Sequence, residues 1–130
     1  MIDHIGLAVS DAEKSKAFYG AALAPIGVTL QITVPGEYTQ HGRPAYGFGK
    51  EDDPFFWISD GERVGEGTHV AFRVETRAEV DAFHAAALAA GGKDNGAPGL
   101  RPVYGPSYYG AFVHDPDGLN IEAVCLGPES

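Results

Sequence analysis

The sequence predicts an α+β fold built from two β-α-β-β-β modules related by pseudo-twofold symmetry. Three observations carry that prediction. First, the chain repeats itself. Shifted by about 65 residues, HIGLAVSDAEKSKAFYGAALAPIG from His4 lies without gaps on HVAFRVETRAEVDAFHAAALAAGG from His69. Val9 meets Val74, Phe18 meets Phe83, Leu23 meets Leu88 and Gly27 meets Gly92. Two copies of one unit fold as two similar modules. Second, each copy opens on an alternating apolar run and continues into a segment of helical period. Third, the remainder of each copy consists of short apolar runs separated by Gly and Pro. With eighteen glycines and nine prolines in 130 residues, this is the pattern of short strands and tight turns.

The opening strand of copy one places Ile5, Leu7 and Val9 on one face and His4, Gly6 and Ala8 on the other. In copy two Val70, Phe72 and Val74 oppose His69, Ala71 and Arg73. The apolar face is expected to pack on a helix, and the histidine face to line a cavity. Helices are predicted over Asp11–Ala24 and Thr76–Ala90. Thr76 with Glu79 three residues later fits a capping box, and Gly91-Gly92 fits a C-terminal stop. Further strands are predicted near Val28–Val34, Ala45–Phe48 and Phe55–Ile58, then near Arg101–Tyr104, Ala111–His114 and Asn120–Val124. Asp115-Pro116-Asp117-Gly118 is a strong turn signal between the last two. Glu37–Arg43 and Gly91–Gly99 are predicted as mobile loops. A chain of this length reads as one domain, with module one at about 1–59, a linker at about 60–67 and module two at about 68–126.

A net charge of -9 argues against nucleic-acid or anionic-membrane partners and favours solubility. No apolar run approaches the ~18–20 residues needed to span a bilayer. The N-terminal MIDHIGLAV lacks the basic stretch and apolar core of a signal peptide. Cys125 stands alone, so no intrachain disulfide is possible, and a cytoplasmic location is the default expectation.

The repeat brings His4 and His69 to equivalent places, and paired imidazoles are what a metal site needs. In the last strand Asn120, Glu122 and Val124 share one face. A carboxylate inside Leu119-Asn120-Ile121-Glu122-Ala123-Val124 is costly unless it is paired or bound to a cation. If that face matches the histidine face, His4, His69 and Glu122 form a facial triad for a divalent metal with open positions. Taken singly, each has a plainer reading: a hydrogen-bonded core histidine, or an edge-strand carboxylate facing water. Of the other histidines, His84 reads as surface or half-buried, His114 as either, and His41 as part of a loop over the ligand. Moving back from Glu122 by the same offset lands on Trp57, which cannot bind metal. A fourth ligand is therefore missing, and an aromatic wall or plain core packing takes its place.

The opening Ile2-Asp3-His4-Ile5-Gly6-Leu7, the middle Thr68-His69-Val70-Ala71-Phe72 and the closing Phe112-Val113-His114-Asp115-Pro116-Asp117-Gly118-Leu119-Asn120-Ile121-Glu122 resemble the vicinal oxygen chelate superfamily. That superfamily comprises glyoxalase I, fosfomycin and bleomycin resistance proteins and extradiol dioxygenases. The resemblance covers nearly the whole chain and is strongest to the small glyoxalase-like proteins. It implies an incomplete barrel around a divalent ion (Fe, Mn, Ni or Zn). The ion would be held by His4, His69 and Glu122 in a homodimer, with ligands that in some relatives come from different chains. Glyoxalase I carries a carboxylate where Trp57 stands, and the acid/base Tyr of extradiol dioxygenases falls near Phe112, so neither reaction is the expected one.

The expected function is that of a divalent-metal-dependent, glyoxalase-like enzyme acting on a small oxygenated or aromatic molecule. Glu122 would be its catalytic ligand. Trp57, Phe55, Tyr46, Tyr108 and Tyr109 would supply an apolar pocket. Arg73, on the face of His69, would meet an anionic substrate group or plug the strand end, and Arg101 is a looser candidate for the same task. For the base, Tyr109, Tyr104 and His41 qualify by type and position alone. The alternative is a non-catalytic protein of the bleomycin-resistance type that sequesters a drug or metabolite.

Overall fold

The computed structural model describes residues 1–127. In chain order the elements are β1 (Ile5–Ala8), α1 (Ala12–Ala22), β2 (Thr29–Val34), β3 (Ala45–Lys50), β4 (Asp53–Ser59), β5 (His69–Val74), α2 (Arg77–Ala89), β6 (Lys93–Leu100), β7 (Tyr109–His114) and β8 (Asn120–Cys125). Single 3₁₀ turns lie at Ala24–Ile26 and Gly36–Tyr38. The strands form two four-stranded mixed sheets, ordered β1-β4-β3-β2 and β5-β8-β7-β6. In each sheet the first strand of the module runs parallel to the last, and the other pairs are antiparallel. The expected α+β arrangement of two β-α-β-β-β modules is therefore present. The repeat also holds at the level of register, since Gly6 stands opposite Trp57 and Ala71 opposite Glu122.

Helix starts follow from side-chain caps. The Asp11 carboxylate accepts the Lys14 N–H, and Thr76 and Glu79 form the reciprocal capping box. Both residues are caps rather than helical positions, so α1 and α2 are slightly shorter than Asp11–Ala24 and Thr76–Ala90. Asp60 supports α1 from outside: Oδ2 accepts the Ala12 N–H at 2.9 Å and Oδ1 accepts from Arg43 Nε at 2.7 Å. The Arg43 hydrogen bond, followed by the Ala12 N–H, holds the Asp60 carboxyl below its usual range.

The apolar strand faces bury Leu7, Val9, Phe72 and Val74 together with Phe18, Tyr19, Phe48, Phe56 and Phe83. The helices pack on each other. Across the module boundary Phe56 meets Phe72 edge-on at 5.2 Å, and within module one Tyr19 meets Phe56 at 5.0 Å. A polar tie joins the modules too. Tyr19 Oη donates to Asp115 Oδ2 at 2.5 Å, while Asp115 Oδ1 accepts the Asp117 and Leu119 N–H groups, each at 2.9 Å. Burial first, then the Asp115 anion, pushes the Tyr19 hydroxyl well above its ordinary pKa. This tie anchors the Asp-Pro-Asp-Gly turn, whose Gly118 takes φ +81, and so sets where β8 begins.

One expectation needs correcting. Gly91–Gly99 was the predicted loop and Arg101–Tyr104 the predicted strand, but the strand is Lys93–Leu100 and a turn follows, with the Tyr104 N–H donating to the Arg101 carbonyl. Among the described residues β6 is an edge strand bonded only to β7, with register shifts between Asp94 and Gly96 and between Gly96 and Gly99. An edge tolerates Pro98 and the glycines that would disqualify an inner strand. Among the described residues, no helix is long and apolar enough to cross a membrane.

Candidate functional site

Because β5 pairs with β8, residues opposite each other share a face. Phe72 and Val74 point into the core, leaving His69, Ala71 and Arg73 on the other side with Glu122 beside Ala71. Glu122 is only 1% exposed. Its Oε1 lies 2.9 Å from His69 Nε2, and its Oε2 accepts a hydrogen bond from Tyr108 Oη. Burial, followed by this bond to Glu122, pushes the Tyr108 hydroxyl up to about 12, so it is a protonated donor at neutral pH. Gly110 makes room for the contact: a Cβ there would stand 3.2 Å from both Glu122 Oε2 and Tyr108 Cε1. Phe112, opposite Glu122, sets its ring 6.1 Å from that of His69.

His4 lies apart from this pair. Its Nδ1 is 2.7 Å from Asp3 Oδ1, and its side chain is 60% exposed. His4 and His69 line one cleft of about 710 Å³, with Phe55 and Arg73 also on its wall. Among the described residues, no three His, Cys, Asp or Glu side chains converge into a metal cage. A single chain thus brings together His69 and Glu122 and leaves out His4. Trp57 borders an adjoining cleft with His4 and His41. Its indole lies across Gly47, where a Cβ would stand 2.9 Å from Trp57 Cη2.

Two residues expected in the pocket are corrected. Tyr46 Oη donates to Glu13 on α1 at 2.9 Å, with the Lys16 ammonium 4.7 Å above the ring. Tyr109 Oη donates to Asp81 on α2 at 2.7 Å, with the Arg77 guanidinium 5.1 Å from the ring centre. Both tyrosines share strand parity with core residues, Phe48 and Ala111, so both face the helices. The residue that reaches Glu122 is the neighbour, Tyr108. Its even-numbered parity with Gly110 and Phe112 was the available signal, hidden because the strand was predicted to start only at Ala111.

The remaining candidates have structural partners. The Arg43 N–H donates to His41 Nδ1 at 3.3 Å, so His41 Nε2 carries the proton and donates to Ser59 Oγ at 3.2 Å. In that tautomer His41 is no base toward Ser59. His84 Nε2 is 2.9 Å from Asp94 Oδ1. Arg101 packs over Phe112 at 5.4 Å and donates to the Gly99 and Ala97 carbonyls, while Tyr104 rests against Tyr108 with ring centres 5.2 Å apart.

The fold with its two repeated modules is matched by known proteins. The model of the Glyoxalase/Bleomycin resistance protein/Dioxygenase superfamily matches residues 1–123. The chain belongs to that superfamily. A glyoxalase/bleomycin resistance protein from Albidiferax ferrireducens is 31% identical, with a TM-score of 0.71 over 95% of this chain and 96% of its own. A glyoxalase I variant from Zea mays is 25% identical with a TM-score of 0.70, over 94% of this chain and 45% of that longer one. A fosfomycin resistance protein, FosX, from Listeria monocytogenes was solved as a variant with Mn(II) and 1S,2S-dihydroxypropylphosphonic acid. It shares the superfamily fold at 18% identity, with a TM-score of 0.67, over 100% of this chain and 90% of its own. No curated protein matches the chain significantly.

Proposed function

We propose that this superfamily member is a divalent-metal-dependent, glyoxalase-like enzyme acting on a small oxygenated or aromatic molecule. The carrying observation is the pair His69–Glu122. Two donors about 2.1 Å from one ion and at right angles to each other stand about 3 Å apart. Nε2 and Oε1 are separated by 2.9 Å. A carboxylate this buried is costly unless it is paired, and a divalent ion held between it and the imidazole would supply positive charge at that point. FosX offers a precedent within the fold for Mn(II) together with an oxygenated ligand. When bound, such an ion would act as a Lewis acid on a substrate oxygen.

The chain's own residues fill the other roles. Asp3 engages His4 Nδ1, which orients the ring and leaves Nε2 as the donor, the usual arrangement for a ligating histidine. Since His4 stands apart from His69 and Glu122 within one chain, the reading includes a homodimer in which His4 of the partner subunit completes the set. Arg73 offers a cation at the cleft wall, and Phe55 and Trp57 supply apolar surface that excludes water.

The test starts from chelated protein titrated with Mn, Fe, Ni and Zn by calorimetry. One ion per chain is expected, and His69→Ala or Glu122→Gln should each weaken it at least about tenfold. Mixing His4→Ala chains with His69→Ala chains should restore one intact site per heterodimer, although neither variant binds well alone. Wild-type protein that takes up no ion yet binds small molecules tightly would overturn the enzyme reading in favour of sequestration.

A further inference from the structure

The turn between β6 and β7 reaches both candidate donors. It is itself well built: the Arg101 N–H donates to the Tyr108 carbonyl at 2.8 Å, and Tyr104 and Gly105 close tight turns within it. From one end, Arg101 lies over Phe112, whose ring stands beside His69. From the other, Tyr104 backs Tyr108, whose hydroxyl holds Glu122 Oε2. The side chain at Glu122 is thus tied at one oxygen and presents the other next to His69 Nε2. Gly110 beneath this contact has no Cβ to push it apart.

Resting on the proposed metal reading, we infer that Tyr108 is a positioning residue: its hydroxyl occupies Glu122 Oε2, so that Oε1 alone is offered as a donor beside His69. The loop Arg101–Tyr108 then governs how firmly the protein holds its ion. The physical logic is that of any outer partner of a ligand. A carboxylate free to rotate must lose that freedom on binding, whereas one already held by a hydrogen bond has lost it on folding. Tyr108 acts through Glu122, so its effect should vanish once Glu122 can no longer ligate.

The experiment measures Mn(II) affinity and the electron paramagnetic resonance spectrum of bound Mn(II) for wild type, Tyr108→Phe, Glu122→Gln and the double variant. Circular dichroism checks the fold of each. Tyr108→Phe should weaken Mn(II) binding roughly 10–100-fold and change the spectrum. Adding it to Glu122→Gln should cost little more, because the two residues act as one unit. Gly110→Ala, which crowds the contact but keeps the hydroxyl, is the second variant and should also weaken binding. If wild type binds Mn(II) and Tyr108→Phe binds it equally well, or if the two losses simply add, the positioning role is wrong while the metal reading stands. If wild type takes up no Mn(II), both fall.

Discussion

Tyr19→Phe probes the contact that ties the modules together. The substitution keeps the ring, and with it the edge-on contact to Phe56, and removes only the hydroxyl that donates to Asp115. Asp115 is 4% exposed, so its Oδ2 loses its donor in a place water does not readily reach. A hydrogen bond to a charged group contributes about 1.5–3 kcal/mol, and an expected loss near 2 kcal/mol follows. At roughly 4 °C per kcal/mol for a domain of this size, the thermal midpoint should fall by about 8 °C. Urea titrations at a series of pH values add a second readout. The Tyr19 pKa is raised in the folded state above the ordinary 10.0. Its contribution is therefore complete below about pH 10 and is lost as pH rises through the folded value, because the unfolded tyrosine ionises first. The gap between wild type and Tyr19→Phe should narrow above that point. A loss under about 0.5 kcal/mol at neutral pH, within the range of an ordinary surface substitution, or a gap that does not change up to about pH 11, would refute the reasoning.

Further expectations concern the empty ligand position and the core. Trp57→Glu places a carboxylate at the position that matches Glu122 in register and should tighten divalent-ion binding. Unchanged affinity would mean the pseudo-symmetric position is misassigned. The unaltered protein should show little turnover of the methylglyoxal–glutathione adduct, and a kcat/KM above about 10⁴ M⁻¹s⁻¹ would contradict this. Asp60→Ala removes a partner of the first N–H of α1 and should cost about 1 kcal/mol near neutrality. Because the Asp60 pKa is lowered on folding, that difference should fade as pH falls below the usual carboxylate range, and denaturant titrations from pH 7 downward will read it. Phe56→Ala, at the aromatic junction of the two modules, should cost about 3–5 kcal/mol in urea unfolding.

Periodicity and internal repetition determined most of the architecture, because both are local. An alternating run such as Ile5-Gly6-Leu7-Ala8 can only send successive side chains to opposite faces. A repeat carried without gaps from His4 to His69 commits both copies to one topology. The same parity places Glu122 on the face of His69, since residues opposite each other in a parallel sheet point the same way. Composition misled at β6, where glycine and proline signal a loop to any local rule but are tolerated on an edge that bonds one neighbour. Distance in the chain hid the rest. Nothing local distinguishes Tyr108 from Tyr109, yet one holds a buried carboxylate and the other faces a helix, a difference set by where the strand begins. The Tyr19–Asp115 tie spans 96 residues and exists only because α1 and the turn before β8 meet at the module boundary. Tertiary structure likewise decided that one chain unites His69 with Glu122 and leaves out His4, because β5 and β8 pair directly in one sheet whereas His4 immediately precedes β1 of the other.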